Sequence, residues 1–318
     1  MPIIRSQFKP AWWLRNPHTQ TLWASVIRLK PKLKMKWQRV ELPDGDFIDL
    51  VWSGPKNGKT VLILHGLEGS IESNYASGLM RELERHGYQS CLMHFRGCSG
   101  ESNRLPFCYH SGKTDDLQYI LKYLQDQMNI DAFAAIGFSL GGNVLLKWLS
   151  EQGGSGPLKR AAVMSVPFQL EQAAERMDRG FSRFYQRHLL NKLLKSYKKK
   201  FNVINCPLDI DINSINSFLS FDDKVTAPLH GFKDVHDYYA RASGRQFIPK
   251  IQVPTLILHA ADDPFMYPHS PPNVDELPEN VWLEIPQKGG HVGFITGAIP
   301  GWGEYWGERR LAEWIDKG

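Results

Sequence analysis

The sequence predicts an α/β protein with a mostly parallel central sheet, helices flanking it, and a helical insertion. Between Val61 and Ile285, short apolar runs alternate with stretches of helical periodicity, the pattern of right-handed βαβ units. The alternation breaks once, from about Phe168 to Ala240, where no strand pattern occurs and the residues read as helices rich in Arg and Lys. A glycine-flanked serine, Gly137-Phe138-Ser139-Leu140-Gly141, sits where one of the strands gives way to a helix.

Two apolar-alternating stretches within Lys36–Trp52 flank Pro43-Asp44-Gly45, which predicts a hairpin. Val61–Leu64 is a continuous apolar run, as expected of a strand buried on both faces. Residues 74–86 have helical spacing with Leu79 and Leu83 on one face, and Gly87 ends the helix. Residues 90–95 form the next strand. Residues 114–128 carry Leu117, Ile120, Leu121 and Leu124 in one stripe, with Asp115 and Asp116 at the positive end of the helix dipole. Strands follow at 133–138, 161–166, 255–259 and 281–285, and a helix at 143–151. The expected division is an N-terminal arm over 1–36 that packs on the core, a core of 37–167 and 241–318, and a lid over 168–240.

Of the 318 residues, 42% are hydrophobic and 22% charged, which excludes a disordered chain. No run of 18 apolar residues exists, which excludes a spanning helix. The first thirty residues lack the apolar centre and small-residue cleavage site of a signal peptide. Thirty-eight Lys and Arg against 33 Asp and Glu leave a net charge of +5, too mild to call for nucleic acid. Cys91, Cys98, Cys108 and Cys206 match neither a disulfide framework nor a zinc pattern. A reduced, cytoplasmic setting and no metal are expected.

The chemistry centres on Ser139. A serine on a sharp strand-to-helix turn points its hydroxyl out of the end of the sheet, and glycines beside it avoid collisions with neighbouring backbone. The following helix offers free N–H groups and a positive dipole end to a developing oxyanion. Serine needs a base. His291, between glycines in Lys288-Gly289-Gly290-His291-Val292-Gly293, follows the last strand and is the choice among the histidines after Ser139. The acid comes from Asp262-Asp263, directly after a strand. Asp263 stands three residues beyond Ala260 and is preferred; Asp262 is the alternative. His65-Gly66-Leu67-Glu68-Gly69 follows the strand at 61–64 and is similar to the loop that supplies an oxyanion N–H. The expected donors are the backbone N–H groups of Leu67 and Leu140, with His65 bracing the loop.

Taken together, these four elements resemble the α/β-hydrolase superfamily from about Trp37 onward. Asn16-Pro17-His18-Thr19-Gln20-Thr21 resembles the start of one branch, which includes bacterial YheT-type hydrolases, the plant embryogenesis-associated hydrolase and mammalian membrane-anchored lung hydrolases. The longer pattern Asp222, Gly231-Phe232, Asp237-Tyr238-Tyr239, Ser243, Ile251, Pro254, Asp262-Asp263 belongs to the same branch. The resemblance implies the α/β-hydrolase fold and a triad of Ser139, one aspartate of the pair, and His291. It also implies activity on small-molecule carboxylic esters with no metal or organic cofactor. Short to medium acyl chains are expected, ahead of a lipase, phospholipase or acyltransferase role at a lipid surface, and ahead of a non-catalytic binding protein that keeps only the fold. The H-x₄-D pattern of acyltransferase-like relatives fails after His291, because residue 296 is Thr; His110 and Asp115 match that spacing by accident. Phe168, Phe181, Phe184, Tyr185 and Phe218 are candidates to line a pocket beneath the lid or to hold its own core. The basic run Lys195–Lys200 reads as a solvated helix face more than as a membrane contact.

Overall fold

The computed structural model describes residues 2–317. A two-residue strand, β1 (Ile3–Ile4), and helix α1 (Pro17–Ile27) precede the hairpin of β2 (Lys36–Glu41) and β3 (Phe47–Ser53). The alternation then runs β4 (Thr60–Leu64), α2 (Ala76–Arg85), β5 (Gln89–Met93), α3 (Asp115–Met128), β6 (Ala132–Phe138), α4 (Leu140–Gln152) and β7 (Arg160–Met164). Helices α5 (Leu170–Met177), α6 (Ser182–Phe201), α7 (Phe218–Phe221), α8 (Ala227–Leu229) and α9 (Val235–Ala242) form the insertion. A π-helical stretch, Asp222–Thr226, joins α7 to α8. The core resumes with β8 (Thr255–Leu258) and β9 (Val281–Glu284) and ends in α10 (Trp306–Asp316).

Nine strands form one sheet in the order β1-β9-β8-β7-β6-β4-β5-β3-β2. Within this sheet, among the described residues, only the pairings of β3 with β2 and with β5 are antiparallel. Every residue of β4 is buried. Leu62 and Leu64 enter the core on one face and Val61 and Ile63 the core on the other, the two-residue period of a strand covered on both sides. Because β4, β6, β7, β8 and β9 run parallel, the loops leaving their C-terminal ends gather at one edge.

Two element ends differ from the expected ones for local reasons. Helix α4 starts at Leu140 rather than Asn143, because the turn at Ser139 closes directly into helical hydrogen bonding (Asn143 N–H to Ser139 O, 3.1 Å). Strand β7 stops at Met164 because Ser165 takes φ +55°. The insertion holds two small cores of its own, one including Leu170, Ala174, Val235 and Tyr239, the other Leu190, Ile215, Phe221 and Leu229.

The N-terminal segment contributes regular structure. Asn16 caps α1, its side chain accepting the His18 N–H at 2.8 Å, and Pro17 occupies the first helical turn. Trp13 packs edge-on against Trp23, centroids 4.6 Å apart. Strand β1 adds in parallel beside β9. Helix α10, not anticipated, buries Trp306, Leu311, Ala312 and Ile315 in the core that α2 also joins.

Candidate active site

Ser139 lies between β6 and α4 at φ +48°, ψ −119°, a strained conformation for a residue with a side chain. Its neighbours leave no room for one. A Cβ on Gly137 would stand 2.6 Å from the Gly142 Cα, and one on Gly141 would stand 2.4 Å from the His65 carbonyl oxygen. The loop after β4 abuts the serine, since a Cβ on Gly66 would come within 3.2 Å of the Ser139 Cβ.

That loop is held by aromatic side chains. Burial pushes the His65 pKa down to about 3, so the ring is neutral. Its Nε2 accepts the Phe95 N–H at 3.0 Å, which leaves Nδ1 protonated to donate to the Gly66 carbonyl at 2.7 Å. The Tyr75 hydroxyl accepts the Gly66 N–H and the Tyr109 hydroxyl the Glu68 N–H, both at 2.8 Å. Tyr109 in turn donates to Glu68 Oε1 at 2.9 Å, and Ser196 of α6 donates to Glu68 Oε2 at 2.5 Å. Among the described residues, the N–H groups of Leu67 and Leu140 donate to nothing else in the chain.

The loops after β8 and β9 bring the other two side chains in. His291 Nε2 stands 3.1 Å from Ser139 Oγ, and His291 Nδ1 stands 2.9 Å from Asp263 Oδ2. Asp263 is almost wholly buried, and its Oδ1 accepts the Phe265 N–H at 2.9 Å. Asp262 faces elsewhere: its Oδ1 accepts the Gly290 N–H at 3.0 Å, and burial raises its pKa. Of the two aspartates, Asp263 is the one in contact with the imidazole.

A cavity of about 410 Å³ opens on Ser139 and His291 beneath the insertion. Of the five aromatic candidates, only Phe218 lines it. Phe168 is fully buried in the sheet core, Phe181 and Phe184 are 54% and 58% exposed, and Tyr185 packs between His18 and Phe265. Phe221 and Phe265, not named from the sequence, and Tyr239, named only within the branch pattern, also form the wall. Lys200 lines the cavity too. It is buried, unlike the rest of its basic run, and donates to the carbonyls of Pro106 and Phe107. His110 and Asp115 do not meet: His110 Nδ1 accepts the Gly112 N–H, and Asp115 pairs with Lys113. Among the described residues, no helix is long and apolar enough to cross a membrane, and no cluster of His, Cys, Asp and Glu is placed to hold a metal.

Sequence reasoning missed the groups that hold the His291 loop, namely Gln20, Thr21 and Ser165. A motif flagged Gln20 and Thr21, but spacing carries no sign of a hydrogen bond across some 270 positions.

Parallel strands that gather a serine, an imidazole and a carboxylate at one sheet edge define an α/β hydrolase architecture. The alpha/beta hydrolase fold family matches residues 59–298, and the chain belongs to it. It is 41% identical over 319 residues to YheT of Escherichia coli (strain K12), covering 98% of this chain and 93% of that one. It is 28% identical to the phospholipase ABHD3 of Bos taurus (94% and 76% covered) and 27% identical to the embryogenesis-associated protein EMB8 of Picea glauca (96% and 71% covered). Among solved structures, the esterase Pf2001 of Pyrococcus furiosus shares the fold, with a TM-score of 0.57 at 16% identity over 99% of both chains.

Proposed function

We propose that the chain hydrolyses carboxylic esters of short to medium acyl length through an acyl-enzyme on Ser139. One observation carries the reading: the His291 ring bridges Ser139 Oγ at 3.1 Å and Asp263 Oδ2 at 2.9 Å. Ser139 Oγ attacks the ester carbonyl carbon while its proton passes to His291 Nε2. Asp263 accepts the Nδ1–H, fixing the tautomer and stabilising the imidazolium. The N–H groups of Leu67 and Leu140 receive the oxyanion, such donors being worth about 10²–10³ in turnover. The imidazolium protonates the leaving alcohol. Water, deprotonated by the same ring, then releases the acid and restores the serine. The insertion serves as the lid, and the cavity beneath it has the size of a small-molecule site.

A second reading, lipid esters at a surface, rests on Phe181 and Phe184, exposed beside the basic helix α6. The relative called phospholipase fits it as well.

A panel of p-nitrophenyl esters from acetate to palmitate, with Ser139→Ala as control, tests the proposal. Turnover with an optimum at short or medium chains, abolished in the variant, is expected. Activity that survives in Ser139→Ala defeats it. An optimum at palmitate together with co-sedimentation on anionic vesicles moves the assignment to the second reading.

A further inference from the structure

Three successive N–H groups around His291 are each taken by a side chain from a different part of the chain. Gly290 donates to Asp262 Oδ1 at 3.0 Å, His291 to Thr21 Oγ1 at 2.9 Å, and Val292 to Ser165 Oγ at 3.0 Å. Slightly further on, Ile295 N–H donates to Gln20 Oε1 at 2.7 Å, while Gln20 Nε2 donates back to the Ile295 carbonyl at 2.9 Å and to the Leu14 carbonyl at 2.8 Å. Gln20 is fully buried. Thr21 spends its own proton on the Pro17 carbonyl at 2.8 Å, so towards His291 it acts as acceptor only. The contact is close-packed: a Cβ on Gly290 would stand 2.5 Å from the Pro17 oxygen, and one on Gly293 would stand 2.6 Å from the Gln20 oxygen.

The loop needs this support. Gly290, Val292 and Phe294 take φ of +61°, +55° and +46°, and non-glycine residues hold such angles only where their surroundings impose them. The helix reaches the imidazole by a second route as well. His18 Nδ1 lies 3.1 Å from the Tyr185 hydroxyl, Tyr185 packs on Phe265 at 5.0 Å, and Phe265 stacks on His291.

We propose that Thr21 and Gln20, at the end of the Asn16-Pro17-His18-Thr19-Gln20-Thr21 motif, are positioning residues for His291, and that α1 belongs to the catalytic apparatus. The inference rests on the triad reading above. It acts through distance: the Nε2–Oγ separation of 3.1 Å is set by the loop backbone, and a displacement of about 1 Å costs about 10² in rate.

The test compares wild type, Ser139→Ala, Thr21→Val and Thr21→Ser on the best p-nitrophenyl ester, with a thermal melt of each. Thr21→Val keeps the shape and removes the acceptor. It is expected to lower kcat by about 10²-fold with KM held, the melt showing the variant still folded at the assay temperature. Thr21→Ser restores the acceptor and is expected to restore kcat. Thr21→Ala removes the acceptor with a smaller side chain and stands in if Thr21→Val does not fold. Wild-type kcat in a folded Thr21→Val, or an equal loss in Thr21→Ser, overturns the inference. Should wild type hydrolyse no ester, the triad reading fails, and nitrogen-15 NMR of the histidine rings decides the positioning claim alone. Movement of the His291 signals in Thr21→Val but not in Thr21→Ser supports it; identical spectra reject it.

Discussion

The ring of Phe265 lies flat on the imidazole of His291, centroids 3.9 Å apart and planes within 10°. One face of the imidazole is thereby covered and its tilt is limited. The same residue presents its backbone N–H to Asp263, so a single phenylalanine touches both the carboxylate and the ring it orients. Stacked aromatic pairs contribute about 0.5–1.5 kcal/mol beyond burial.

Phe265→Leu keeps the backbone hydrogen bond and removes the platform. Steady-state kinetics are expected to show kcat lowered up to about tenfold, while Phe265→Tyr stays near wild type. Equal activity in Phe265→Leu would deny the stack any role.

The two adjacent aspartates separate cleanly by substitution. Asp263→Asn removes the charge that stabilises the imidazolium and lets an amide N–H face His291 Nδ1, which favours the wrong tautomer, and is expected to lower kcat by about 10⁴. Asp262→Asn leaves an amide oxygen for the Gly290 N–H and is expected to cost far less. Losses of equal size, measured on one ester, would contradict the assigned roles.

His259 yields a pH dependence of stability. It is fully buried, its Nδ1 has no hydrogen-bond partner among the described residues, and burial lowers its pKa to about 4. Unfolded, it titrates near 6.5. Between these values the unfolded chain binds a proton that the folded chain refuses, so acidification from 6.5 towards 4 weakens the fold. His259→Leu carries no such proton. Urea unfolding is expected to show the variant gaining on wild type by about 1.4 kcal/mol per pH unit across that window, with no further gain below it. A constant difference between pH 7 and pH 5 would refute the assignment.

The architecture was legible wherever a feature is local. The apolar run at Val61–Leu64, the glycines that Ser139 requires and the aspartates after β8 announce themselves within a few residues. What distinguishes Asp263 from Asp262 is the direction in which a turn faces them, and composition is silent on that. Helix α1 carried a readable start, Asn16 followed by Pro17, yet its buried Gln20 breaks the apolar stripe that marks a packed helix. Phe168 and Phe181 look alike in sequence. One is buried in the sheet core and the other faces outward, a difference that periodicity does not carry.

The pairing of α1 with the loop around residue 291 has a temporal side. During synthesis the segment holding Thr21 leaves the ribosome early and must wait through some 270 residues for the backbone it braces. A nascent chain can present its hydroxyl on a finished elbow long before any imidazole reaches it. If the proposed triad carries ester cleavage, a chain still short of residue 291 is expected to have none, because Ser139 then has no base.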